Sequence, residues 1–495
     1  MTKHFEAGSY SRRIFFHTLL CLLSATLLLL IFPKFNFTFL APFALAPLLY
    51  VMAATRNGWQ RFVYGWGAGI FYWFFLCAWI QFVLEVHGGM GRWGGWGAFL
   101  LFCILKALHL AVFSALAGPL MRTMFAVPAI AGLWTGLERT HGTFGFAWLA
   151  LGNAGIDMGI PLRLAPFLGV YGLSFLFATF GAAIACVLLR YRRRYLAWLA
   201  AAPLIFFLPA IPQQTPATDR ALVVQPNIDP ETQWTSLSQL RAEEDLARLS
   251  SVLSAPLVIW PELPAPLYFY SDPDFHAMAT QIARQHGNFL FETVAFTPDK
   301  QPLNSAVMLR SDGSEVGRYD QINLVPFGEF VPPLFSWVNR ITKETSDFVP
   351  GRDVKVFPAA GHRLAVFICY ESAFPDLVRQ SSKAGADVLI NLSNDGYFGH
   401  TEAREQHLLL ARMRAVENRR FVIRSTNDGI TAVIGPAGRI ESKLPPYRQV
   451  AATLPYGAVA ETTFYARHGD WFAWTCLALG VGLAAFNMVR SRSAK

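Results

Sequence analysis

Charge is scarce in this 495-residue chain: Asp, Glu, Lys and Arg together make up 15%, against about one-quarter in soluble domains. A wholly soluble protein is thereby excluded. Cysteine is also scarce and badly placed for pairing. Of the six cysteines, Cys21, Cys77, Cys103, Cys186 and Cys476 lie in apolar runs, and Cys369 stands alone in the polar part of the chain. A single thiol cannot close a disulfide within its own domain, and the sequence has no CxxC or Cys/His spacing of the kind that holds zinc. Internal repeats, low-complexity tracts and Gly-rich phosphate loops are missing as well. The stretch GVYGLS at 169–174 falls in an apolar span and is no dinucleotide fingerprint. What is abundant excludes disorder: 42 Phe, 14 Trp and 15 Tyr are rings that a solvated coil does not carry.

The apolar residues are unevenly distributed. Residues 1–212 and 470–495 are dominated by long apolar runs, while 213–469 read as an ordinary globular domain. A span needs about 20 apolar residues to cross a bilayer core, and about eight segments qualify: 13–32, 37–54, 62–84, 97–118, 122–138, 164–189, 195–211 and 470–488. The first lacks an A-x-A cleavage site and precedes further spans, so it reads as a retained helix rather than a signal peptide. Seven spans then form an N-terminal transmembrane domain at 1–212, and residues 470–495 supply a last helix and tail. The net charge of +9 comes largely from Arg and Lys flanking these spans, including the Arg190–Arg194 cluster. Membrane anchoring explains it better than nucleic acid, and no nucleic-acid partner is expected. Lys and Arg concentrate on one side of an alternating eight-span arrangement, which puts both termini in the cytoplasm and the 213–469 domain across the membrane. Loop 85–95 is Gly-rich and reads as mobile, 138–155 suits an interfacial segment, and Lys106 and His109 share one face of a span. A charge within a span marks either a functional site or a snorkelling side chain.

In the polar domain the pattern changes to short strands alternating with helices. Strands are predicted at 221–227, 255–262, 288–296, 305–311, 363–371, 386–393, 420–426 and 431–436, and helices at 235–253, 273–286, 373–383 and 402–418. Several strands are unbroken apolar runs, the pattern of sheets buried on both faces. Asp312-Gly313 and Pro436-Ala437-Gly438 read as hairpin turns. Three places carry unusual chemistry. IWPE ends a strand in Glu262, with Pro261 stopping the ladder; FICYES puts Cys369 late in a strand ahead of Tyr370 and Glu371; NLVPFGEF presents Glu329 on a turn. Together they supply a thiol nucleophile, a base and further carboxylates, the parts of an acyl-transfer site.

These segments resemble a known family. IWPE, the run from Tyr319 through LVPFGEFVP, ICYE, NLSNDGYFG, the stretch 406–440 and YARHGDW at 465–471 are similar to the nitrilase-like domain of bacterial apolipoprotein N-acyltransferases. The likeness extends over the entire chain. It implies a multi-span helical membrane domain plus an α/β nitrilase-like α-β-β-α sandwich at 213–469, in the bacterial inner membrane with the catalytic domain in the periplasm. It also implies a reaction without metal or organic cofactor. Cys369 takes an acyl chain from a membrane phospholipid as a thioester, and the α-amino group of a diacylglyceryl-cysteine lipoprotein then accepts it. Glu262 is the implied proton acceptor, Glu329 and Glu371 are further catalytic carboxylates, and Tyr370 and Trp234 are substrate-binding residues, with the Tyr370 amide as an oxyanion donor.

One position departs from the family pattern. The family has a catalytic lysine ahead of LVPFGE, and this chain reads Tyr319-Asp320-Gln321-Ile322-Asn323, placing Gln321 at the lysine position. Glutamine donates a hydrogen bond but brings no charge. Three readings stay open: another cation substitutes, from Lys300, Lys343, Lys355, Lys383, Lys443 or Arg318; Gln321 supports a slower enzyme; or the chain is a paralogue that binds lipid or lipoprotein without turnover. A membrane-bound amidase is a further enzymatic alternative.

Overall fold

The computed structural model describes residues 2–143, 146–212, 214–326, 328–330 and 348–493. They fall into two compact units: Met1–Ala78, Trp96–Ala210 and Asp470–Lys495 form one, Trp79–Gly95 and Ile211–Gly469 the other.

The first unit is helical. Four helices are long and apolar enough to cross a membrane: Ser11–Leu30, Gly91–Leu120, Val170–Leu188 and Trp471–Arg490. A fifth span results if Gly58–Leu76 is counted together with the next helix, Trp79–Val86. The other expected segments are helical but shorter or tighter: Ala46–Ala54, Ala126–Arg139 and a 3-10 stretch, Arg193–Phe207. Small residues let these helices approach closely; a Cβ on Gly65 would lie 2.2 Å from Ser114 Oγ. Two arginines expected as topology anchors, Arg61 and Arg122, donate to carbonyls at the end of Ala46–Ala54, where the helix dipole favours a cation. Lys106 does not reach outward. It is buried and donates to the Phe146 carbonyl at 2.5 Å. The 138–155 segment, expected at an interface, is buried within the unit from Ala147 to Gly155.

Among the described residues the second unit contains twelve strands in chain order: β1 (Asp219–Gln225), β2 (Leu257–Ile259), β3 (Asn288–Phe296), β4 (Pro302–Arg310), β5 (Glu315–Asp320), β6 (Val356–Ala359), β7 (His362–Ile368), β8 (Val388–Ser393), β9 (Phe421–Thr426), β10 (Ala432–Ile434), β11 (Ile440–Lys443) and β12 (Val450–Tyr456). They form two six-stranded sheets, ordered β12-β1-β2-β3-β4-β5 and β11-β10-β9-β8-β7-β6. Each has a parallel centre, β1-β2-β3 and β7-β8-β9, with antiparallel strands outside it. Alternation along β1 shows how the layers form. Ala221 and Val223 face a core made by both sheets, whereas Leu222 and Val224 face a second core under the helices Ser236–Ser251 and Pro273–His286. A third core joins the other sheet to Pro375–Lys383 and Ala403–Asn418. The result is the expected α-β-β-α order. Parallel strands all end at one edge, and there the chemistry gathers.

Candidate active site

Glu262 leaves the sheet three residues after β2. Trp260 still pairs with Leu290, and Pro261 then ends the ladder. The Glu262 carboxylate is buried, accepts the Asn394 amide at 2.7 Å and lies beside the Cys369 thiol. Burial raises its carboxyl, the thiol and the amide partly offset this, and the result is about 7.

Cys369 is not a strand residue, contrary to the sequence expectation. β7 ends at Ile368, and Cys369 opens a 3-10 turn, Cys369–Ala373, with φ +45°. A non-glycine residue in the left-handed region is held there by its surroundings. His407 Nε2 lies 2.9 Å from the Cys369 carbonyl. A carbonyl only accepts, so Nε2 carries a proton, and Nδ1 lies 3.0 Å from Asp395 Oδ1 and 3.1 Å from Arg424 Nη2. The same Nη2 reaches both Asp395 oxygens at 2.8 Å. Ser393 Oγ lies 2.9 Å from Asp395 Oδ1 and 3.6 Å from the Cys369 sulfur. Burial would raise the Asp395 carboxyl, but the Arg424 and His407 contacts outweigh it and hold it far below the usual carboxylate range. Burial, then the charges of Glu262, Asp395 and Glu329, push the Cys369 thiol well up. The sulfur therefore rests as a neutral thiol beside Glu262.

Glu371, two residues on, is fully buried and accepts from Tyr319 Oη and the amides of Ile322, Asn323 and Ile368, at 2.6–3.1 Å. It fastens the end of β5 to the nucleophile turn. Burial raises its carboxyl to about 7. Gln321 is buried at the end of β5, where its Nε2 donates to Glu329 at 2.9 Å and its Oε1 accepts from Asn304 at 2.8 Å. Glu329 also accepts the Val325 amide at 2.6 Å, and burial followed by the Glu262 charge raises it to about 8. The structure thus brings together Cys369, Glu262, Gln321, Glu329 and Glu371. Tyr370 is buried in the same turn with its ring edge-on to Phe374. Trp234 stays apart from this group, 38% exposed just ahead of Ser236–Ser251.

No other cation takes the place of a lysine at position 321 among the described residues considered. Arg318 pairs with Asp320 at 2.7 Å and stacks over Tyr270. Lys300, Lys355, Lys383 and Lys443 are exposed, and Lys343 lies outside the described residues.

Sequence reasoning missed several members of the site. Asp395, His407 and Arg424 fall in the quoted stretches NLSNDGYFG and 406–440, but their functions depend on meeting beneath Cys369. Glu292 lies in β3 in an otherwise apolar strand, and a charged residue at an inward position was the available signal. A whole segment was also missed. Trp79–Gly95, expected to be the end of a span and a mobile loop, belongs to this unit. Trp79 packs edge-on to Phe398 and lies 3.3 Å from Gln406 Oε1, and His87 packs on Tyr397. It therefore covers the turn Asp395–Phe398 that carries Asp395.

Comparison with known proteins bears on both halves of the chain. The profile of carbon-nitrogen hydrolases matches residues 220–462, and that of the apolipoprotein N-acyltransferase N-terminal domain matches residues 24–183. The chain is similar to the apolipoprotein N-acyltransferase of Geobacter metallireducens, with 30% identity over 501 residues and 95% of each chain covered. It is also similar to that of Methylococcus capsulatus, with 31% identity over 502 residues and 96% of each covered. Among solved structures, an amidase from Nesterenkonia aligns over 51% of this chain and 96% of its own, at 20% identity and a TM-score of 0.38.

Proposed function

Because the chain belongs to the family of apolipoprotein N-acyltransferases, we propose that it moves an acyl chain from a membrane glycerophospholipid, through a thioester on Cys369, to the N-terminal amino group of a diacylglyceryl-cysteine lipoprotein. The observation that supports this reading is the buried Cys369 thiol beside the buried Glu262 carboxyl, on a turn with φ +45°.

The first half-reaction begins as the sulfur attacks the ester carbonyl and its proton passes to Glu262. The S–C bond forms, the C–O bond breaks, and Glu262 returns the proton to the departing lysophospholipid alkoxide. In the second half, the lipoprotein amine attacks the thioester. An N–C bond forms, the C–S bond breaks, and a proton from nitrogen reaches the Cys369 thiolate by way of Glu262. A carboxyl near 7 suits this work because it both takes and gives a proton at neutral pH. The Tyr370 amide, next to the nucleophile, is the proposed donor to the oxyanion. Among the described residues the thiol has no neighbouring ammonium to hold it as a thiolate, so in this reading proton transfer to Glu262 accompanies attack. The exposed Trp234 is proposed to contact lipid or lipoprotein, and the Lys/Arg bias supports a periplasmic position for the second unit at the inner membrane.

Mass spectrometry of the full-length protein after incubation with phospholipid tests this. An acyl adduct on Cys369, discharged by a diacylated lipopeptide and absent from Cys369→Ala, is expected. Absence of any adduct at Cys369 in the folded protein would sink the reading.

A further inference from the structure

Glu292 has no part in the steps above, yet it is the most isolated buried carboxyl in the second unit. Along β3, Leu290 faces the core between the sheets while Phe289 and Phe291 face the outer helices. Alternation therefore turns Glu292 inward. It pairs with Ala306 of β4, which in turn pairs with Tyr319 of β5. The residue is fully buried. Neither oxygen has a hydrogen-bond partner among the described residues, and the Leu263 amide lies near without closing one. Carboxyls face it from three elements: Glu262 beyond β2, Glu329 beyond β5 and Glu371 in the turn after β7. The cations of the region are committed elsewhere, Arg424 to Asp395 and Arg318 to Asp320, and Gln321 brings no charge.

An unpaired carboxylate in such a place would cost far more than taking up a proton. We propose that Glu292 is a positioning residue that keeps its proton throughout the working pH range, so that Glu262 and Glu292 together carry one negative charge and the Cys369 proton goes to Glu262. Two neighbouring carboxyls that cannot both ionise divide their roles in this way. The member with donors ionises and the member without them stays neutral. Glu262 has the Asn394 amide at 2.7 Å; neither Glu292 oxygen has a donor at hydrogen-bond distance among the described residues. Burial, then the charges of Glu262 and Glu329, raise the Glu292 carboxyl well above its usual range.

The inference rests on Glu262 acting as the base of acyl transfer. Its first test needs no substrate. Infrared difference spectra of the full-length wild type against Glu292→Gln, at neutral pH in detergent, should show loss of a protonated-carboxyl C=O band that shifts in D2O. Phospholipid-dependent acylation of Cys369 in Glu292→Gln should stay within about threefold of wild type at neutral pH. In wild type the rate should fall at alkaline pH as Glu292 ionises beside the developing oxyanion, and in Glu292→Gln that fall should move to higher pH. A merely structural residue would leave the two alkaline limbs superimposed. Loss of a carboxylate band instead, coincident limbs, or failure of Glu292→Gln to fold would each overturn the proposal, since glutamine is a neutral isostere of a protonated carboxyl. If the C=O band is lost as expected but neither protein acylates Cys369, acyl transfer is refuted while the protonated Glu292 stands.

Discussion

The two sheets of the second unit handle buried charge in opposite ways at the edge where they meet. The sheet that carries Cys369 compensates its ions: Asp395 has Arg424 at 2.8 Å, and His407 links the pair to the Cys369 carbonyl. The sheet that carries Glu262 compensates with protons, because Glu262, Glu292 and Glu329 have hydrogen-bond donors or nothing, but no cation. The first arrangement fixes geometry, since a buried ion pair tolerates little displacement. The second supplies chemistry, since carboxyls raised toward neutrality exchange protons at working pH.

The largest expected effect breaks the compensated side. Arg424→Met leaves Asp395 buried without its partner and should cost about 3–5 kcal/mol. Thermal unfolding in detergent reads this, and Glu329→Gln on the opposite sheet should cost only about 1 kcal/mol or less. Equal losses would erase the distinction. Next, Gln321→Lys converts the proton-held side to the ionic kind. Acylation of Cys369 should accelerate by up to about 10²–10³, with its acidic limb moving below pH 7 as the ammonium lowers Glu262. An unchanged rate would mean that another group already fills the role. A third effect comes from pH alone. Burial raises Glu262 and Glu371 to about 7 and Glu329 to about 8. Groups raised on folding lend stability that is complete at pH values below their unfolded range and is lost as pH rises through the folded values. The unfolding midpoint should therefore fall as pH rises from about 4.5, the ordinary carboxyl value, through about 7 to 8 and level off above that, and the drop should shrink in Glu329→Gln. The smallest effect lies outside both sheets: Trp234→Ala should raise KM for lipopeptide a few-fold with kcat and melting temperature unchanged. A fall in kcat alone would move Trp234 into the chemistry.

Much of this architecture was readable in advance. All eight strands and all four helices expected in the polar domain overlap observed elements, because a strand such as LVVQ or a helix such as 402–418 carries its own periodicity. The missed strands, β5, β6, β11 and β12, are peripheral and mixed in polarity, and only pairing with a neighbour makes them strands. Glu262, Cys369 and Glu329 stood out because each follows a motif at an element end. The contribution of Glu371 was visible as a residue but not as a fastening, since its donors Tyr319, Ile322 and Asn323 come from about fifty positions away. The break after Leu76 was hidden by continuous hydropathy, which reports apolarity and not where a helix stops.

Sequence alone determined the division into apolar and polar parts, the order of the layers and which thiol and carboxyl stand as candidate nucleophile and base. These follow from local composition and from alternation, which each segment carries with it. Tertiary structure decided what those groups are: that Cys369 sits on a left-handed turn, that Trp79–Gly95 joins the second unit, that Arg424 serves Asp395, and that Glu292 has no hydrogen-bond partner among the described residues. Protonation and backbone strain depend on which charges and donors the fold brings within a few ångströms, and residues more than a hundred positions apart supply them.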